Sequence, residues 1–100
     1  MISHIVLLKC RPDTPAQQLK DMFEALAQLV DKIPGLQSYT GGSNNSPEGI
    51  DRGYSHAFYM LFDDQQSRDN YLSHPAHEAV KVLIGATLLS VEDNVLVVDF

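Results

Sequence analysis

The stretch YLSHPAH, residues 71–77, gathers a tyrosine and two of the chain's four histidines around one proline. Imidazole changes protonation near neutral pH and is a common metal ligand, while a phenol can donate to a developing oxyanion. A shared metal ion would need His74 and His77 side by side on one helix face. Pro75 works against that, because a residue before proline is pushed towards an extended backbone, so His74 should stand ahead of the helix. The motif holds no cysteine or carboxylate at ligand spacing. Neither a metal nor another cofactor is expected.

Proton transfer is the better use of His77. With Pro75 at the first helical position, His77 falls in the first turn, beside unpaired N–H groups and the positive end of the helix dipole. That field disfavours imidazolium and favours the neutral ring, the form that can take a proton. The plainer alternative is structural: His74 caps the helix, His77 is an exposed polar residue, and Tyr71 is a core residue with a wet hydroxyl. His4, on an apolar strand, then reads as a satisfied core histidine.

The elements that must position these groups follow from periodicity. ISHIVLLKC, residues 2–10, is apolar on both faces, as a central strand should be. Thr14, Pro15 and Gln17 predict a capping box opening a helix. Leu19, Met22, Phe23, Leu26, Leu29, Val30 and Ile33 then recur at helical steps up to Pro34-Gly35. LQSYTGG reads as a shorter, more polar edge strand, and SNNSPEGIDRG as an exposed loop. YSHAFYMLF, residues 54–62, is a second strongly apolar strand. Asp63 or Asp64 caps a short helix to Leu72, Pro75 restarts a helix to about Ile84, and NVLVVDF is the last strand.

The order β-α-β-β-α-β predicts an α+β, ferredoxin-like fold: a four-stranded antiparallel sheet with helices on one face and strands one and three in the middle. His4 and His56 then lie towards opposite ends of the sheet and cannot share an ion. Both faces of the central strands are apolar, yet residues 1–100 form a single domain with nothing left to cover the second face. A homodimer through the sheet face is the economical solution. The net charge of −6, with only seven Lys and Arg, argues against nucleic acid and anionic membranes. The N-terminal stretch is too short and polar for a membrane span, and Cys10 is the sole cysteine, so a cytoplasmic setting is expected. Cys10 has no histidine near it in sequence and reads as a buried bystander. The glycines of PEGIDRG come without a phosphate-loop lysine and read as a turn.

HIVLLK (residues 4–9), SPEGIDRGYSHAFYMLF (46–62), YLSHPAH (71–77) and the closing VLVVDF together resemble the stress-responsive dimeric α/β-barrel (Dabb) family over essentially the whole chain. The resemblance implies a ferredoxin-like monomer whose sheet packs on its mate's to form an eight-stranded dimeric barrel. It also implies a choice of activities. Many members have no established reaction and some are described as stress proteins. One plant branch is a polyketide cyclase that closes a linear tetraketide by intramolecular aldol condensation without metal or redox cofactor. Its catalytic tyrosine and histidine correspond to Tyr71 and His77, its other pocket histidines to His4 and His56, and an aspartate near its C-terminus to Asp99.

On that resemblance, His77 would remove an α-proton from a carbonyl compound while Tyr71 donates to the enolate oxygen. Asp99, if it reaches the other ring nitrogen of His77, would fix the tautomer. A pocket between helices and sheet would have Val6, Leu8, Phe23 and Leu26 as walls. The competing expectation is a non-catalytic stress or binding protein holding a small apolar molecule. A third, borrowed from look-alike barrels that oxidise polyketides or degrade haem, is weakened by the absence of tryptophan. Convergence of Tyr71 and His77 on an enclosed cavity separates the first two.

Overall fold

Side-chain alternation along the two central strands decides the architecture. The computed structural model describes residues 1–100. β1 (Ile2–Leu8) and β3 (His56–Phe62) pair antiparallel along their whole lengths, with His4 opposite Met60 and Leu8 opposite His56. His4, Val6, Leu8, Phe58, Met60 and Phe62 form one buried face. The intervening Ile5, Leu7, Tyr59 and Leu61 are only half-buried, because no helix covers their side.

Between these strands come α1 (Ala16–Gln28), a 3₁₀ turn at Leu29–Asp31 and β2 (Leu36–Ser43). After β3 follow α2 (Gln65–Leu72), α3 (Pro75–Gly85) and β4 (Val95–Asp99). The sheet order β2-β3-β1-β4 is antiparallel throughout. This is the ferredoxin-like βαββαβ arrangement, with the second helix broken in two at Ser73 and His74. Met22, Leu26, Leu29 and Ile33 from the first helical segment join Tyr71 and Val80 in the core against the sheet. No helix is long and apolar enough to cross a membrane.

The helix starts after β3 are built as their sequences require. The Asp64 carboxylate accepts from the Ser67 N–H at 2.8 Å and opens α2. His74 is extended (φ −73°, ψ 139°), its Nδ1 accepts from the Ala76 N–H at 3.0 Å, and Pro75 follows at the first position of α3. His74 is therefore the cap that its place before a proline suggests.

Other expectations need correction. Thr14 does not cap α1: Pro15 occupies the cap position, and the Thr14 hydroxyl is sealed inside without a partner. A turn closed by the Thr14 N–H to the Arg11 carbonyl leaves that side chain inward, and Gln17 instead donates to Asp21 one turn on. β1 ends at Leu8, and Cys10 makes an isolated bridge to Leu88. β2 is an edge strand as its polarity suggests, but at eight residues it is no shorter than its neighbours. Gly35 reverses the chain before β2 at φ +84°, where a Cβ would also meet the Ser67 Oγ at 2.2 Å, so α2 passes too close for any side chain.

Candidate active site

A cavity of about 340 Å³ lies between α3 and the β1–β4 half of the sheet. His4, Val6, Leu8 and Phe58 form its floor, Tyr71, His77 and Ile84 its roof, and Val95 and Val97 of β4 its side. Val6 and Leu8 are walls as expected. Phe23 and Leu26 are not: α1 packs down on β2 and α3, so Leu26 is fully buried in the core and Phe23 rests against His56, ring centres 5.9 Å apart. The cavity is not sealed: Val95 and Val97, which line it from β4, are 39% and 51% exposed.

Tyr71 and His77 converge on this cavity with ring centres 4.3 Å apart. The His77 Nδ1 lies 3.0 Å from the Leu72 carbonyl oxygen. A carbonyl only accepts, so Nδ1 carries the proton and Nε2 keeps its lone pair. Burial lowers the His77 pKa below the ordinary 6.5, and the nearby Lys81 adds to the effect, while the Leu72 bond opposes it. The neutral ring expected from the helix dipole is thus favoured chiefly by desolvation. Burial also pushes the Tyr71 phenol well above its usual range, which keeps it a neutral donor.

Asp99 does not reach His77. It faces His4, its neighbour across the β1–β4 ladder, with the His4 Nδ1 2.7 Å from one carboxylate oxygen. Its second oxygen accepts from Arg68 on α2, a residue that nothing in the local sequence singles out. His4 is 5% exposed, and its ring stands 5.8 Å from that of Tyr71. Tyr71 is therefore flanked by two histidines, one oriented by a backbone carbonyl and the other by a carboxylate. The carboxylate fixes the orientation of the His4 ring beside Tyr71.

His56 lies outside this group. It pairs with Leu8 at the far end of the sheet, where its Nδ1 is 2.8 Å from the Ser55 hydroxyl, and it does not line the cavity. His74 is committed to its cap. No three histidine, cysteine or acidic side chains cluster as a metal site would require. Sequence reasoning also missed Lys81, one turn beyond His77 on α3, which lines the cavity with it. The i, i+4 spacing was the available signal.

The stress responsive A/B barrel domain model matches residues 2–100. The chain belongs to that family. A stress-response A/B barrel domain-containing protein of Arabidopsis thaliana is 26% identical over 100 residues, covering 99% of this chain and 87% of the relative. Olivetolic acid cyclase of Cannabis sativa is 24% identical over 99 residues, covering 99% of this chain and 94% of the cyclase. Among solved structures, a dimeric ferredoxin-like protein of unknown function from Jannaschia sp. matches with a TM-score of 0.86 at 26% identity, over 99% of this chain and 96% of that one. In this A/B barrel domain the half-exposed side of the sheet is the one opposite the cavity, so the two surfaces share strands but not side chains.

Proposed function

We propose that the chain works as a homodimer, joined through the uncovered sheet face, and binds a small apolar carbonyl compound under α3 for cofactor-free acid/base chemistry. The observation that carries this reading is the convergence of Tyr71 and a tautomer-fixed His77 on one carbon-lined cavity. The similarity to olivetolic acid cyclase, over nearly the whole length of both chains, supports it. The dimeric description of the Jannaschia relative supports the assembly, and an apolar sheet face needs a cover.

In this reading the His77 Nε2 takes a proton from the carbon next to a carbonyl. The C–H pair becomes the enolate double bond, and the oxygen, now negative, accepts a hydrogen bond from the Tyr71 hydroxyl. The enolate carbon can then attack a second carbonyl of the same molecule, and the imidazolium returns its proton to the new alkoxide. His4, held by Asp99, stands on the other side of Tyr71 and limits how the substrate lies.

The test is deuterium exchange at the α-carbon of an apolar β-diketone, followed by NMR in D₂O. The wild type should accelerate exchange over buffer and His77→Ala should not. Equal rates with wild type and with buffer would sink the acid/base reading. A second reading, binding without turnover, is favoured by a lining that is almost wholly carbon. Native mass spectrometry of protein from its own host would support that reading if a compound is carried unchanged.

A further inference from the structure

Among the side chains that line the cavity, Lys81 alone carries a permanent charge. It lies one turn after His77 on α3, so the two side chains leave the helix about 6 Å apart on the same face. Its protein partner is Glu78, at 3.5 Å, and both side chains are more than half exposed. Such a pair is weak, and water or a ligand anion can replace the glutamate at little cost. The rest of the lining demands something apolar: Val6, Leu8, Ile84, Leu88, Val95 and Val97 offer it no hydrogen bonds from their side chains.

These two demands are met by one kind of molecule. We propose that the cavity takes a medium-length aliphatic carboxylate, with its chain between α3 and the sheet and its carboxylate at the mouth against Lys81. The proposal rests on the cavity being a ligand site, as argued above, and adds the polarity and direction of the ligand. A carboxylate carried deep among these aliphatic side chains would be left unsolvated, which is costly, whereas at the mouth it keeps water and meets an ammonium group. A volume of about 340 Å³ holds roughly eleven groups of water size, each about 30 Å³, enough for a chain of that class. The chain carbons a few bonds from the carboxylate would then pass the Tyr71–His77 pair. The direction is notable in a chain of net charge −6, whose overall field repels anions.

The experiment is calorimetric titration of the full chain with decanoate and, separately, with decanol, repeated on Lys81→Gln. Decanoate should bind about threefold to fivefold more tightly than decanol to the wild type, the upper worth of an exposed ion pair. Lys81→Gln should erase that preference while leaving decanol binding unchanged. If wild type binds both alike, or Lys81→Gln keeps the preference for decanoate, the proposal is overturned and the cavity reading survives. If neither ligand binds, the cavity reading falls, and the proposal with it. Circular dichroism of Lys81→Gln distinguishes loss of a contact from loss of the fold.

Discussion

Tyr71 lies in the last turn of one helix and His77 in the first turn of the next, yet their rings lie 4.3 Å apart across the break at His74-Pro75. On one continuous helix, residues six apart point roughly 120° away from each other, and the two could not meet over the same cavity. The proline and its capping histidine are therefore what turns two unremarkable helix residues into a pair. His74 contributes as the cap, its Nδ1 accepting from the Ala76 N–H, and His77 is the histidine of the motif that faces the cavity.

That division gives a ranking of variants. With a turned-over substrate, His77→Ala should lower kcat by about a hundredfold or more, the usual scale for a positioned base. Tyr71→Phe should cost less, because the ring still fills its place in the core. His74→Ala should spare kcat and cost about 1 kcal/mol of stability by urea unfolding. Loss of activity in His74→Ala with His77→Ala unimpaired would move the chemistry from His77 to His74.

The lowered pKa of His77 sets a pH dependence whose sign can be worked out. Below the unfolded reference of 6.5 the unfolded ring takes up a proton before the folded one does. The stability due to this site is therefore present above 6.5 and lost as pH falls through the folded value. Burial lowers the His56 pKa too, and it acts in the same direction. Urea midpoints should fall between about pH 7 and pH 5, and His77→Gln should flatten that slope. A midpoint that rises on acidification would mean the ring is stabilised as imidazolium. The rate constant kcat/KM should fall over the same window, since the base must be unprotonated.

Asp99→Ala should destabilise the fold by about 1–3 kcal/mol, because it strands the buried His4 Nδ1 and leaves Arg68 with the more exposed Asp69 as its one carboxylate partner. Asp99→Asn, which keeps an acceptor for His4, should cost less. Neither variant should move the NMR titration of His77, whose ring is held by the Leu72 carbonyl. A clear shift there would mean that Asp99 acts on His77, directly or through the charge of His4.

Val98 is 52% exposed on the open sheet face, opposite Ile5 in the β1–β4 ladder. The wild type should sediment at twice the chain mass, and Val98→Asp should sediment as a folded monomer. Its cost to the protomer is small, because that position is already solvated in the single chain. A Val98→Asp protein that stays dimeric would place the association surface elsewhere.

Much of this architecture was legible locally. The helical steps from Leu19 to Ile33, the stop at Pro34-Gly35 and the caps at Asp64 and His74 each depend on residues a few positions apart. The candidate site was less so: the sequence set Tyr71 and His77 on either side of Pro75 but left open whether their side chains converge. Whether Asp99 reaches His77 is not readable locally, because nothing near it in sequence shows that β1–β4 register sets it beside His4. Phe23 and Leu26 carry the periodicity of a helix face, and periodicity alone does not show whether a face closes on the sheet or stands off it. That depends on how the volumes of α1 and α3 are filled, a property of the whole core. Lys81 carries no local signal beyond its place one turn after His77, since only the folded core shows the space beside it.

β4 is one strand thick and serves two clients. Val95 and Val97 face the cavity, while Leu96 and Val98 face away from it on the uncovered side. Any shift of this edge strand is felt on both sides at once. If filling the cavity favours one position of β4 and association favours the same one, each event raises the affinity of the other by an equal factor. The measured affinity for a ligand would then depend on protein concentration, and a dilute sample would bind more weakly than a concentrated one.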